Sequence, residues 1–202
     1  SVKNTCFFLG NSISYTYSKS NRTKNNKYFR EIRLNLCTKQ IKTFLSREGG
    51  TKMLYHSTRN SGGCVDSARA VLEGLAPDGG LYMPQAIPAF DWKKCLTGSS
   101  MDMATDILSA LLPDIPDMPT LVKKAYTGKF ETEDLTPTVA VGDFHVLELF
   151  RGPTSAFKDV ALSMLPQLLT AAKTAKGMEK DILILTATSG DTGKAALEGF
   201  HD

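Results

Sequence analysis

Two strand-and-helix units in the last third of the chain constrain its fold more than any other feature. Phe144 to Phe150 and Asp181 to Leu185 are apolar runs of strand length, and the second is continuous enough to predict a strand covered on both faces. A glycine-containing turn and a helical pattern follow each run, over about 157–176 and from about Gly193 onward. This order predicts the start of a doubly wound α/β domain with an open sheet.

Helical periodicity also assigns an inward face to the first of those helices. Leu162, Leu165, Leu168 and Leu169 recur at the spacing of one helix face. Pro166 lies within this pattern and predicts a kink. Upstream, the sequence predicts helices over 67–75, 101–112 and 121–126, and an extended run over 81–83.

Net charge divides the chain at about residue 53. The 202 residues carry a formal charge of +3, but residues 1–52 hold 11 basic and 2 acidic residues, a balance of +9. The rest of the chain holds 13 basic and 19 acidic residues, a balance of −6, and contains all nine prolines and all seven methionines. The two parts therefore differ in composition as if they had separate origins.

Three interpretations of residues 1–52 are open. A basic arm would bind nucleic acid or acidic lipid through phosphate contacts, and a basic leader poor in acids would direct the chain to an organelle. The absence of alanine and the abundance of residues with AT-rich codons favour the third, a non-native or disordered leader translated from non-coding DNA. Arg47 to Gly50 back-translates to a purine run typical of ribosome-binding sites, so we expect Met53 to be the true start.

Composition excludes several classes of protein. No apolar run approaches the roughly 20 residues needed to span a bilayer, and the run from Cys6 to Leu9 is too short for a signal peptide. Four cysteines in 202 residues are too few for a disulfide scaffold, and their spacing matches no metal site. We therefore expect no metal and no membrane partner. Because a non-native leader is favoured over a basic arm for residues 1–52, we also expect no nucleic-acid partner.

The first candidate for chemistry is the loop from Gly152 to Asp159, between a predicted strand and a predicted helix. Open α/β sheets bind their ligands at this edge. Lys158 lies in the first helical turn, where a permanent cation opposes the helix dipole. A lysine is better accommodated there when it is neutral or covalently used, as in a Schiff base with an aldehyde. A solvent-facing lysine on an amphipathic helix is the alternative.

The second candidate is the loop from Thr188 to Gly193. Gly190 and Gly193 leave backbone N–H groups to bind an anion at the start of a helix. Thr188 and Ala195 stand where a P-loop needs a glycine and a hydroxyl residue, so the sequence argues against that nucleotide-binding motif. A carboxylate or phosphate site and an ordinary tight turn both stay open.

Three motifs in the chain resemble one enzyme family. The segment from Glu148 to Asp159 resembles the lysine motif of pyridoxal-phosphate enzymes of the threonine synthase and dehydratase group, and Leu185 to Gly193 is similar to the substrate loop of threonine synthase. Asp191 stands where the wider group has asparagine, which favours threonine synthase. Tyr55 to Arg59 and Gly74 to Pro84 resemble the small N-terminal domain of its microbial form.

The resemblance implies a fold type II enzyme and a division of the chain into three parts. They are a leader over 1–52, a small mixed α/β N-terminal domain over 53–142 and the truncated start of the pyridoxal-phosphate-binding domain over 143–202. The implied reaction converts O-phospho-L-homoserine and water to L-threonine and phosphate, in the cytoplasm.

The resemblance also implies roles for named residues. Lys158 would bind pyridoxal 5'-phosphate covalently and would then move protons as a general acid and base. Ser189 and Asp191 would also contact the cofactor. The residues expected to bind the substrate, O-phosphohomoserine, are Thr188, Ser189, Gly190, Thr192 and Gly193.

Finally, the resemblance implies a longer protein. Family members continue past the second loop to a glycine-rich loop for the cofactor's phosphate and a partner for its pyridine nitrogen, and neither occurs in these 202 residues. We therefore expect the chain alone to be an inactive fragment. The alternatives are an O-phosphohomoserine phospho-lyase that yields 2-oxobutyrate, and a truncated non-catalytic product.

Overall fold

The structure is a computed structural model that describes residues 6–9, 53–59, 63–89 and 91–201. The helices in these ranges are α1 (Ser67–Glu73), α2 (Trp92–Thr97), α3 (Ser100–Leu111), α4 (Met118–Tyr126), α5 (Asp159–Ala175) and α6 (Asp191–Gly199). The strands are β1 (Cys6–Leu9), β2 (Leu54–Ser57), β3 (Val65–Asp66), β4 (Tyr82–Pro84), β5 (Thr138–Val141), β6 (Phe144–Leu147) and β7 (Leu183–Thr186). No helix in the described ranges is long and apolar enough to cross a bilayer.

The described strands form three small sheets, which confirms the mixed α/β class. β2 lies between β3 and β4 in an antiparallel sheet, β5 and β6 form an antiparallel hairpin, and β1 and β7 form a parallel pair. The parallel pair aligns Cys6 with Leu183 and Leu9 with Thr186.

The strands of the two strand-and-helix units, β6 and β7, differ from the sequence prediction. The differences concern their length, their pairing partners and the burial of their side chains. β6 ends at Leu147 and pairs with β5, because Gly142 adopts a positive φ of 59° and lets the chain turn back in two residues. β7 pairs with β1, and within the described residues it does not pair with β6. The predicted cover on both faces of β7 is wrong for the described residues, since Leu183 and Leu185 are exposed.

The two N-terminal motifs lie side by side. The buried Ser57 hydroxyl donates a hydrogen bond to Asp78 Oδ1 at 2.6 Å, and Arg59 Nη1 donates to the Asp78 carbonyl oxygen at 2.9 Å. A Cβ on Gly80 would lie 2.0 Å from Ser57 Oγ, so only glycine allows this approach. The turn predicted after α1 is therefore fixed against the end of β2.

The main core forms around α5, which packs against α1, α4 and α6. The predicted inward residues Leu162, Leu168 and Leu169 are confirmed as buried, and Leu165 is partly buried. The helix continues through Pro166 without a break in its assigned span. Because this core includes residues from both sides of position 142, the lysine-bearing helix is supported by the segment that precedes it.

Side-chain caps set the ends of the supporting helices. Asp66 caps α1 by accepting a hydrogen bond from the Arg69 N–H at 2.9 Å, and the same carboxylate pairs with Lys176 just beyond α5. Ser99 and Asp102 form a reciprocal capping box at the start of α3. The cap on α1 therefore also joins it to the C-terminal end of α5.

Helices α5 and α6 approach each other more closely than side chains would allow. A Cβ on Gly199 would lie only 2.1 Å from the carbonyl oxygen of Leu162 and 3.7 Å from Pro166 Cγ. Since proline has no N–H, Pro166 leaves that carbonyl without its usual donor one turn later in α5. Gly199 and Pro166 thus make the contact between the two helices possible.

We expect Gly199→Ala to lower the free energy of unfolding by about 1–3 kcal/mol, because overpacking against a backbone oxygen outweighs the gain in helix propensity. Denaturant unfolding of the 202-residue chain measures the change. The matched control is Glu198→Ala, an exposed neighbour on the same helix, which should stay within about 0.5 kcal/mol of the wild type. Equal stability of Gly199→Ala and the wild type would contradict the close approach.

Candidate active site

Lys158 lies at the junction between the loop that follows β6 and the start of α5. It is the N-cap residue, with φ −71° and ψ −16°, and helix α5 begins at Asp159, two residues later than predicted. The Leu162 N–H donates to the Lys158 carbonyl oxygen at 2.9 Å, which joins the backbone of Lys158 to the first turn. The predicted catalytic residue is therefore held by a buried helix while its side chain is only half-buried.

The amine of Lys158 is available for chemistry. Its Nζ lies 5.3 Å from the centre of the Phe157 ring, and Phe157 is 60% exposed. Within the described residues Nζ has no ion pair and no hydrogen bond. Because a cation–π contact at an exposed site contributes only about 0.5–1 kcal/mol, little opposes the use of this amine in a covalent bond.

The residue after Lys158 has a position that the sequence pattern did not reveal. Asp159 is only 2% exposed, and its Oδ2 accepts hydrogen bonds from the backbone N–H groups of Thr154 at 2.8 Å and Ala156 at 3.3 Å. Its Oδ1 accepts the Thr154 hydroxyl at 2.5 Å. The carboxylate therefore closes the lysine loop. An acid in the first turn of a helix was the only sequence signal of this function.

The other end of the lysine loop is held by Arg151. Its guanidinium contacts Glu148 Oε2 at 2.6 Å and Glu131 Oε2 at 2.7 Å, and its carbonyl oxygen accepts the Glu131 N–H at 3.0 Å. The hydrogen bond to Glu131 and, to a lesser extent, the hydrogen bond to Glu148 raise the pKa of Arg151 above its ordinary value. Both ends of the lysine loop are thus anchored, the first by the Arg151 guanidinium and the second by the Asp159 carboxylate.

Thr188 organises the second candidate loop. Its Oγ1 accepts hydrogen bonds from the N–H groups of Gly190 at 3.2 Å and Gly193 at 3.0 Å. Gly190 has a φ of 146°, which favours glycine, and α6 begins at Asp191 rather than at the predicted Gly193. These two glycine N–H groups are therefore used within the loop.

Other donors of the second loop stay available to a ligand. Within the described residues, the backbone N–H groups of Ser189, Asp191 and Thr192 have no hydrogen-bond partner. They lie at or next to the N-terminus of α6, where the helix dipole favours an anion. The loop can thus donate to a carboxylate or a phosphate.

Packing brings the two candidate loops to neighbouring ends of α5 and α6. Leu162, one turn after Lys158, is buried with Ala195 and Ala196, one turn after the start of α6. A cleft of about 450 Å³ separates the lysine loop from α6; it is lined by Pro153, Thr154, Ser155, Lys194, Leu197, Glu198 and His201. No hydrogen bond or ion pair joins Lys158 to residues 188–193 in the described part of the chain. The loops are therefore neighbours through their helices.

Comparisons with known proteins agree with the motifs. Residues 54–126 match the family model described as the threonine synthase N terminus. The chain is 39% identical to threonine synthase of Saccharomyces cerevisiae, over 73% of this chain and 32% of that protein. It is 37% identical to a Xenopus laevis protein named threonine synthase-like 2, over 74% of this chain and 33% of that protein.

Solved structures give the same result. A pyridoxal-phosphate-bound threonine synthase from Brucella melitensis matches with a TM-score of 0.66 and 39% identity, over 73% of this chain and 33% of that one. Threonine synthase from Escherichia coli matches with a TM-score of 0.62 and 32% identity, over 74% and 34%. The chain thus spans about a third of the length of the relatives it matches.

We expect Thr188→Val to speed amide hydrogen exchange at Gly190 and Gly193 by about two- to tenfold, because loss of an acceptor that water can partly replace costs roughly 0.5–1.5 kcal/mol. Exchange measured by mass spectrometry or NMR checks this. Thr188→Ser keeps the hydroxyl and should exchange at close to the wild-type rate. Unchanged exchange at both glycines in the valine variant would show that Thr188 does not organise this loop.

Proposed function

We propose, from the premise that this chain belongs to the threonine synthase family, that it forms the lysine-bearing part of a pyridoxal-phosphate enzyme. The reaction converts O-phospho-L-homoserine and water to L-threonine and phosphate. The observation that carries the proposal is the placement of Lys158, whose backbone is fixed by α5 while its amine is unpaired within the described residues. The likeness to a pyridoxal-phosphate-bound threonine synthase supports the choice of cofactor.

The residues in the two loops fit pyridoxal phosphate. An aldehyde needs an accessible amine, which Lys158 Nζ supplies. Anionic groups need unpaired N–H donors, which the backbone of Ser189, Asp191 and Thr192 supplies at the start of α6. When bound, the cofactor provides an electron sink that stabilises negative charge on substrate carbons.

The chain's own residues then have distinct tasks. Lys158 binds the cofactor, and its Nζ holds and moves protons between substrate carbons when it is not covalently bound. We assign the substrate carboxylate to the second loop, where Ser189 and Thr192 offer unpaired backbone N–H groups and where Thr188, Gly190 and Gly193 shape the loop through their internal hydrogen bonds. We also assign contacts with the cofactor to Ser189 and Asp191.

A second candidate product is 2-oxobutyrate. The match to a protein named threonine synthase-like 2 shows that this sequence pattern is not restricted to proteins named threonine synthase. A phospho-lyase would use the same lysine to remove phosphate but would add no water at the β-carbon; water would instead hydrolyse the resulting imine at the α-carbon, which releases ammonia and 2-oxobutyrate. The identity of the product, threonine or 2-oxobutyrate, therefore separates the two candidates.

The first test traps the cofactor on the lysine. We expect pyridoxal phosphate followed by borohydride to modify Lys158 of the 202-residue chain selectively, because the neighbouring loop at the start of α6 offers N–H donors that would hold the cofactor's anionic groups near this amine. Peptide mass spectrometry locates the modification. Lys123, exposed on α4, is the internal reference, and Lys123→Arg should leave modification of Lys158 unchanged. Equal modification of Lys158 and Lys123 would contradict the assignment.

The second test measures turnover. We expect the 202 residues alone to release no phosphate from O-phosphohomoserine, and a chimera in which residues 53–202 replace the matching third of yeast threonine synthase to restore growth without threonine. Lys158→Ala in that chimera should reduce turnover by at least about 10³-fold, since it removes the group that carries both functions. Formation of 2-oxobutyrate in place of threonine by the chimera would favour the phospho-lyase.

A further inference from the structure

One carboxylate closes the backbone on both sides of Lys158. Asp159 accepts hydrogen bonds from Thr154 and Ala156, which precede the lysine, while its own N–H donates to the Ala156 carbonyl oxygen at 3.0 Å. The segment from Thr154 to Asp159 is thus a hydrogen-bonded ring that contains Lys158. Because side-chain direction follows from the backbone, the ring fixes the direction in which the lysine leaves the helix.

The ring is tightly enclosed. A Cβ on Gly152 would lie 2.5 Å from both Cβ and Oδ2 of Asp159, so the loop reaches the carboxylate only because position 152 has no side chain. Ser155 adopts a φ of 55°, which costs an L-residue of this kind about 1 kcal/mol or more. With Ser155 in this conformation, the backbone N–H groups on either side of it, those of Thr154 and Ala156, both donate to Asp159 Oδ2.

The loop alone satisfies the buried carboxylate. Asp159 has no ion pair in the described part of the chain, and its three acceptor contacts all come from Thr154 and Ala156. Burial of a charge without a counter-ion is unfavourable unless hydrogen bonds replace the lost water. A loop conformation that breaks these contacts while Asp159 stays buried would leave the carboxylate unsatisfied, which favours the native conformation.

We propose that Asp159 is a positioning residue for Lys158, which acts through the backbone ring and does not contact the reacting atoms. The proposal depends on the proposed function of Lys158 as the amine that binds pyridoxal phosphate. No hydrogen bond joins the Asp159 carboxylate to Lys158 Nζ within the described residues, so the geometry of the acceptors matters and a direct pairing with the amine does not.

Two substitutions separate the geometry of Asp159 from its charge. Asp159→Asn keeps an oxygen for the two N–H donors, and its NH₂ can donate to the Thr154 hydroxyl, which then reverses its role. Asp159→Ala removes every acceptor. We expect the alanine variant to reduce borohydride trapping of pyridoxal phosphate at Lys158, relative to Lys123, by about ten- to a hundredfold, and the asparagine variant to stay within about threefold of the wild type.

Amide hydrogen exchange supplies the second readout. In Asp159→Ala the N–H groups of Thr154 and Ala156 should exchange faster, while those of Leu168 and Leu169 in the core of α5 stay protected. If the alanine variant fails to fold, Thr154→Val tests the same ring, because it removes the hydroxyl donor to Oδ1 and should lower trapping at Lys158 several-fold.

The outcomes distinguish this proposal from the proposed function. Selective trapping at Lys158 that is unchanged in both Asp159→Ala and Thr154→Val would overturn the positioning role and leave the proposed function intact. Loss of trapping in Asp159→Asn equal to that in Asp159→Ala would also overturn it, since the charge would then be what matters. Unchanged amide exchange at Thr154 and Ala156 in Asp159→Ala would also overturn the positioning role, because the hydrogen-bonded ring would then not depend on the carboxylate. If Lys158 of the wild type is not trapped selectively, it is the proposed function that fails.

Discussion

Burial of α5 is the constraint on which the rest of the described structure depends. Its inner face places Leu169 and Ala172 in the core at 2% and 0% exposure, and burial of a leucine side chain contributes about 1.5–3 kcal/mol.

Polar contacts then fix the rotation of the helix. The buried Tyr126 hydroxyl donates to the Val160 carbonyl oxygen at 2.9 Å, within the first turn of α5. Burial raises the pKa of Tyr126 above its ordinary value. Since Val160 lies two residues after Lys158, the segment matched by the family model supports the lysine directly.

The sequence predicted the helices better than the strands, for a physical reason. A helix of 17 residues repeats its apolar spacing several times, so the inward positions of α5, such as Leu162 and Leu168, could be predicted from periodicity. The strands have two to four residues each, too short for alternation to stand out, and β2 was not predicted. The pairing of β7 depends on a distant part of the chain and could not be predicted from its local sequence, and the hairpin at Gly142 was not predicted either. Helix α2 has six residues and was also missed.

The candidate site shows a similar division. The motifs predicted Lys158 and the 188–193 loop as the candidate site, because an amine and a glycine-rich turn can be recognised from residue types alone. It did not identify Asp159 as the residue that closes the lysine loop, because an exposed acid in the first turn of a helix would look the same in sequence. Burial separates the two cases, and burial here follows from the packing of Gly152 against the carboxylate. Thr188 was expected to contact a substrate, whereas in the structure its hydroxyl also accepts two N–H groups of its own loop.

These contacts explain why a small N-terminal segment accompanies the lysine-bearing helix. The proposed role of the Lys158 amine would tolerate little displacement, since misplacement of about 1 Å can cost a hundredfold in rate. A loop held only by its own hydrogen bonds would move with its helix, so the helix itself must be fixed.

The core around α5 fixes this helix through its packing against α1 and α4, and Lys176 adds an ion pair to the cap of α1 at the far end. The ring at Asp159 then transfers the rigidity of α5 to Lys158. Residues 54–126 therefore support the lysine-bearing helix by packing, without a residue of their own in either candidate loop.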